Sequence, residues 1–202
     1  MKKILLFAII LVIGGVFVKA QNAESIISKT ISQYNKSGGI SANYQLSSNQ
    51  GRDFGSIIMN GKMFRILSDN LKCWYNGKTM WSYSSASGEV NVTNPTNDDL
   101  QMTNPYSVAM SVKSSYNATL ISKTGNKYVL KLVPKKNNSN VSQIILTVSN
   151  KYFIEKANIT MRNRTSANIS ITNYKVGGNY NGTVFVYNNK MVPRGTHVVD
   201  LR

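Results

Sequence analysis

"LKCWYNGKTMWSYSSASGEVNV", residues 71–92, holds both tryptophans of the chain, with two tyrosines, a methionine and the only cysteine gathered about an Asn-Gly pair. Asn-Gly accepts the positive φ of a tight turn, so the stretch reads as a hairpin. Across a two-residue Asn76-Gly77 loop, Trp74 would face Thr79 and Lys72 would face Trp81. Trp74, Trp81 and Tyr83 then share one side of the sheet, and Cys73, Tyr75 and Met80 share the other. Neither side is polar, whereas a sheet with one wet face alternates apolar with polar residues. Two readings stay open: an ordinary core with a helix on each side, or one face lining a ligand cavity beneath a mobile helical cover.

The same turn signals recur outward from this hairpin. Asn60-Gly61 joins "GSIIM" to "KMFRIL", setting Ile57 opposite Phe64 and Ile58 opposite Met63. Thr124-Gly125-Asn126 and Ser149-Asn150 mark two further hairpins. Upstream, Ile40, Ala42, Tyr44 and Leu46 alternate with Ser41, Asn43, Gln45 and Ser47, the period of a half-buried strand. About ten or eleven strands result, mostly antiparallel to their neighbours, a meander and not a βαβ chain. Helical periodicity occurs twice. Ala23–Lys36 sets Ile26, Ile27, Ile31 and Tyr34 on one stripe and ends at Ser37-Gly38-Gly39. The second case is an insertion, Thr96 to about Ser115. Asp98 and Asp99 suit a first helical turn, and Pro105 restarts a helix at its tolerated N-terminal position. Tyr106, Val108, Ala109, Met110 and Val112 make that insertion apolar and adaptable, and it is expected to lie over the sheet.

Composition bounds what this sheet can do. Lys2 and Lys3 followed by the apolar run Ile4–Val18 and by Val18-Lys19-Ala20 form an export leader, expected to be cleaved after Ala20 to leave one domain over 21–202. No later stretch approaches ~18 consecutive apolar residues, so the mature chain is expected to be soluble. With Cys73 the only cysteine, no intrachain disulfide can form, and stability must come from burial. The net charge is +16 at pH 7. Such a balance favours anionic partners: an anionic membrane surface or an acidic protein surface, with nucleic acid set aside because the chain is exported.

Catalytic groups do not converge. The only histidine, His197, lies in "THVVDLR" near the C-terminus, and the 8 acidic residues are scattered. One histidine and one cysteine cannot build a zinc site from the usual ligands. No nucleophile elbow, metalloprotease or phosphate-loop motif occurs. The expectation is a binding protein, not an enzyme, with no cofactor and no metal.

"MFRI" with "CWYNGKTMWSYSSASGEVNV" resembles the outer-membrane lipoprotein carrier (LolA-like) family. The likeness rests on Phe64, Asn76, Gly77, Lys78, Thr79, Trp81, Tyr83, Val90 and Val92. "TNPYSVAM" and the closing "VPRGTHVVDLR" look like a divergent branch of that family, and the likeness runs over nearly the whole mature chain. It implies a mainly β (α+β) fold: a single, strongly curved, incomplete antiparallel β-barrel of about 11 strands, with a helical lid over an apolar cavity. It also implies a periplasmic carrier that binds the acyl chains of lipidated proteins and ferries them from the inner to the outer membrane. An inner-membrane release complex and an outer-membrane acceptor would be its partners, and a monomer is expected. Ile27, Ile31, Phe64, Trp74, Trp81, Tyr83, Tyr106 and Met110 are the candidate cavity and lid residues. Where the best-studied carriers place an arginine, four residues before the strand phenylalanine, this chain has Asn60, and Arg65 follows Phe64. The alternative of the same fold is a non-enzymatic lipid- or partner-binding module, regulatory or acceptor.

Overall fold

Period-two alternation along most of the chain becomes twelve strands. They are β1 (Ile40–Ser48), β2 (Gly51–Asn60), β3 (Met63–Ser68), β4 (Leu71–Tyr75), β5 (Met80–Ser84), β6 (Glu89–Thr93), β7 (Tyr116–Thr124), β8 (Lys127–Pro134), β9 (Val141–Ser149), β10 (Ile154–Met161), β11 (Ser166–Val176) and β12 (His197–Asp200). The computed structural model describes residues 22–49 and 51–202; the expected leader lies outside them. The strands form one curved sheet in the order β12-β6-β5-β4-β3-β2-β1-β11-β10-β9-β8-β7. Edge strands β12 and β7 are not neighbours, so the sheet stays open. The expected unclosed antiparallel architecture is found, with one difference: β12 runs parallel to β6. A tight hairpin can deliver only an antiparallel neighbour, whereas β12 arrives after the long crossover of residues 177–196.

The turns are not the two-residue Asn-Gly loops expected. In β2–β3 the pair closing the turn is Asn60 with Met63, so Gly61 and Lys62 form the loop, with Gly61 at φ 57. In β4–β5 Tyr75 pairs with Met80, and the Asn76 side chain accepts from the backbone N–H groups of Lys78 (3.0 Å) and Thr79 (2.9 Å). Asparagine acts there through its side chain, two residues on, and not through the positive φ of a type I′ turn. Both registers are offset by two residues from the expected pairing: Trp74 faces Trp81, and Met59 faces Phe64. An offset of two keeps every side chain on its expected face.

Three helices cover one face. Residues 22–36 form α1, which ends where Gly38 takes φ 63. The insertion splits into α2 (Asn97–Thr103) and α3 (Pro105–Ser115). A capping box between Thr96 and Asp99 starts α2. At α3, Asn104 Oδ1 accepts from the Tyr106 N–H and Pro105 occupies the first turn, where its missing N–H costs nothing.

The inner face and the helices share one core. Ala23, Ile26 and Ile27 of α1 and Val108, Ala109 and Val112 of α3 pack in the same cluster as Ile57, Phe64 and Ile66 on one half of the sheet and Leu132, Ile144 and Leu146 on the other. The outer face of β3–β6 has its own cover. The crossover lays two short 3-10 turns, Gly182–Phe185 and Asn189–Met191, over it. Trp74, Tyr83 and Val90 pack there with Val192, flanked by Leu67, Trp81, Tyr187 and Met191. The aromatic hairpin is apolar on both faces because each is covered, one by helices and the other by the C-terminal strap. At Gly55 the sheet is so close that an added Cβ would lie 2.0 Å from the Leu67 carbonyl oxygen.

Candidate functional site

The lid is tied down mainly through aromatic side chains. Tyr34 of α1 stacks on Tyr106 of α3, ring centroids 4.4 Å apart and planes at 25°. The Tyr106 hydroxyl donates to Asn35 Oδ1 at 2.9 Å, joining the two helices. Beneath them, the Tyr174 hydroxyl donates to the Ile154 carbonyl at 2.5 Å, which leaves Tyr34 to donate to Tyr174 at 3.0 Å. Phe153 stacks on Tyr174 with centroids 4.7 Å apart. Burial pushes the Tyr34 and Tyr174 phenols well above the ordinary tyrosine range, so both are neutral donors at any physiological pH. At the sheet rim, Lys29 Nζ donates to the Tyr152 hydroxyl at 3.3 Å, and Tyr152 stacks on Tyr128. A buried hydrogen bond from the Tyr116 hydroxyl to Gln101 Oε1, 2.5 Å long, fastens α2 to the start of β7.

Two grooves open on the flanks of α3. One, about 440 Å³, runs between α1, α3 and edge strand β7, with walls of Ile27, Ile31, Ala109, Val112, Tyr116 and Ala118. The other, about 400 Å³, lies between α3 and the hairpin of β4 and β5, where Tyr75, Leu100, Tyr106 and Met110 meet Lys62 and Gly77. Both volumes fall in the range of small-ligand pockets, about 300–1,000 Å³.

The eight candidate residues divide into two groups. Ile27 and Ile31 line the first groove, and Tyr106 and Met110 line the second. Phe64 is fully buried on the inner face beneath the helices, against Tyr75 at 5.4 Å between ring centroids. Trp74, Trp81 and Tyr83 are not brought together with these. They lie on the outer face, where Trp74 meets Tyr187 edge-on at 5.5 Å and the Lys72 ammonium sits 5.6 Å from the Tyr83 ring. Parity had separated Trp74, Trp81 and Tyr83 from Cys73, Tyr75 and Met80; only the strap decides which set faces the helices. Ala118 and Tyr116 were missed as groove residues, although their period-two spacing in "YNATL" marks one face of a strand. The aromatic box of Phe153 and Tyr174 carries no local signal, because its members come from separate strands and loops.

Asn60 and Arg65 also belong to the strap side. Asn60 Nδ2 donates to the Tyr180 carbonyl at 3.2 Å. Arg65, paired across the sheet with Trp74, has a buried Nε with no partner, and burial lowers its pKa despite the nearby Tyr180. Neither residue reaches the lid.

Among the described residues no group of three or more His, Cys, Asp or Glu could hold a metal ion. Cys73 is buried, and burial pushes its thiol up to about 12. Buried Asp53 accepts from Ser68 and, at 3.2 Å, from Asn70 Nδ2, an arrangement that ties β2 to the β3–β4 turn. His197 is exposed and lies 3.8 Å from Glu89 on the neighbouring strand.

The geometry is that of an open, curved sheet with helices seated over its apolar inner face. The model of the family described as "Outer membrane lipoprotein carrier protein LolA" matches residues 14–165, and the chain belongs to that family. No curated protein matches the chain. Among solved structures, it is similar to an uncharacterized conserved protein from Thermus thermophilus, at 12% identity and a TM-score of 0.58, covering 89% of this chain and 99% of that one. A DUF1329 family protein from Desulfovibrio piger is similar at 12% identity and a TM-score of 0.50, covering 84% and 98% of the two chains. At these identities the likeness establishes the fold alone.

Proposed function

We infer that this protein is a periplasmic carrier that binds the acyl chains of outer-membrane lipoproteins and ferries them from the inner to the outer membrane. Its leader is removed after Ala20, leaving the single domain 21–202. The observation that carries this reading is the lid. Two helices place apolar undersides on an apolar inner face, are joined to each other by a stacked pair and a hydrogen bond, and leave a mainly apolar groove on one flank of α3 and a mixed one, with Asn97, Ser107, Ser111 and Ser114 in its wall, on the other. A sixteen-carbon chain holds roughly 12 kcal/mol against water at about 0.8 kcal/mol per methylene, so it needs such a surface to cross an aqueous compartment. In the arrangement described, lid side chains occupy the inner face. Loading then requires α1 and α3 to move and the cargo to take their place. Hydrocarbon ends offer no hydrogen-bonding groups, which suits walls of isoleucine, valine, alanine and methionine.

The partners follow from the cargo: lipidated proteins, an inner-membrane release complex and an outer-membrane acceptor, with the basic surface resting on anionic headgroups. The protein acts as a monomer, without cofactor or catalytic step. One observation favours a second reading, a lipid- or partner-binding regulatory or acceptor module. The position where the best-studied carriers hold an arginine is Asn60, and its side chain is spent on the strap and not on the lid.

Titration of the delipidated protein with a fluorescent fatty-acyl probe tests the carrier reading. Ile31→Glu puts a charge in the groove wall and should weaken the probe at least about tenfold, the scale of burying a charge against hydrocarbon. Trp81→Ala, on the other face, should leave affinity within about twofold. Absence of probe binding by a folded protein, or loss of binding through Trp81→Ala alone, would refute the assignment.

A further inference from the structure

The groove between α1, α3 and β7 has a polar rim of uneven charge. Its rim holds Ser28, Asn117 and Thr119, a single acid, Glu24, and two cations, Lys113 and Lys135. Lys113 closes the last turn of α3, and Lys135 follows β8. The Lys135 ammonium donates to the Lys113 carbonyl at 2.7 Å, and the Lys135 N–H donates to the Ser115 carbonyl at 2.9 Å. These bonds hold Lys135 against the C-terminal turn of α3 that carries Lys113, just before Tyr116 opens β7, and both lysines line the groove. Among the described residues neither has a carboxylate within ion-pair distance; the three ion pairs are Lys127–Glu155, His197–Glu89 and Arg202–Asp200. Two ammonium groups without a carboxylate partner, beside a trough of isoleucine, alanine and valine, match a molecule with a hydrocarbon tail and an anionic head.

Size narrows the match. With a methylene occupying roughly the 30 Å³ of a liquid water molecule, about fifteen carbons fill the 440 Å³ groove. That is one acyl chain, not the several carried by a lipoprotein terminus.

We propose that this groove binds a single-chain anionic amphiphile, its tail between α1 and α3 and its head on Lys113 and Lys135. The proposal rests on the acyl-binding reading above and names a ligand class for one groove of that site. Carboxylate and phosphate heads share the required chemistry, charge with oxygen acceptors. Salt screening and charge removal should therefore act on the head and leave the tail's contribution intact.

The test displaces the fluorescent acyl probe from the full mature chain with hexadecanoate, lysophosphatidate or neutral monopalmitoylglycerol, each below its micelle concentration, in low and in 0.5 M salt. The expected result is that an anionic amphiphile binds at least about tenfold more tightly than the neutral one at low salt, each lysine accounting for roughly fivefold at most. The preference shrinks in high salt and is lost in Lys113→Gln/Lys135→Gln, with thermal midpoints reporting that the variant is folded. Glutamine at 135 keeps a donor for the Lys113 carbonyl. A tighter fit of hexadecanoate or of lysophosphatidate assigns the head as carboxylate or phosphate. Equal binding of neutral and anionic amphiphiles, or a preference that survives high salt, overturns the proposal while the acyl reading stands. If no amphiphile displaces the probe because none of the chains binds, the acyl reading falls with it.

Discussion

Removing one oxygen from the lid should make the protein bind acyl chains more tightly. Tyr106→Phe deletes the 2.9 Å hydrogen bond to Asn35 Oδ1 and keeps the ring that stacks on Tyr34 at 4.4 Å. A hydrogen bond of this kind contributes about 0.5–1.5 kcal/mol net. Asn35 is exposed, so water replaces the lost donor and no buried polar group is stranded. The expected loss is about 1 kcal/mol from the closed arrangement alone. Where opening precedes loading and the open form is the minor one, the open fraction rises roughly fivefold and the apparent Kd for an acyl probe falls by the same factor. Tyr106→Ala differs in kind, because it also removes the stack, worth a further ~0.5–1.5 kcal/mol, and hollows the core. The assay pairs probe titration with native-state hydrogen exchange of the α3 amides. Faster α3 exchange with unchanged probe affinity would refute the idea that lid opening limits loading. Weaker binding would instead make the Tyr106 hydroxyl a contact of the ligand.

The remaining predictions concern stability and reactivity. Gly55→Ala should cost about 3 kcal/mol or more in urea denaturation, because the new Cβ meets backbone atoms of Leu67 and Ser68 at 2.0–2.9 Å and neither strand can yield alone; a change below ~1 kcal/mol would contradict the register of β2 on β3. Cys73 should resist Ellman's reagent at pH 8 in the folded protein, its thiol being pushed up to about 12 by burial, and react fully once urea exposes it. Tyr34, Tyr44 and Tyr174 are held neutral by burial, so their folded pKa values lie above the ordinary ~10. Their contribution to stability is complete below pH ~10 and is lost as pH rises beyond it, since only the unfolded chain gains free phenolates. Denaturation midpoints should fall between pH 10 and 12, and uniform titration of all 11 tyrosines near pH 10 in the folded protein would count against the buried box.

Period-two alternation and Asn/Gly turns made the strands legible, because both are local properties of backbone sterics and of side chains alternating across a pleat. The helices were equally readable from their stripes and caps: residues 22–36, and the insertion broken at Pro105. Turn geometry was harder. Asn60 and Asn76 each mark a turn, yet Asn60 stays in its strand, paired with Met63, while Asn76 acts as a side-chain acceptor inside a longer loop. An Asn-Gly pair does not by itself say which, and the two-residue offset in both hairpins follows from that.

For this chain, then, sequence alone determined the β meander, the two apolar faces of the aromatic hairpin and the apolar underside of the inserted helix, all consequences of spacing between near neighbours. It could not assign a cover to each face. Trp74 and Tyr83 lie under residues more than a hundred positions downstream, and Ile27 shares a groove with Ala118, about ninety residues away. Those meetings depend on the curvature of the whole sheet and on the path of the strap, where the decisive free energy is area removed from water by distant segments, a quantity with no imprint on any short stretch.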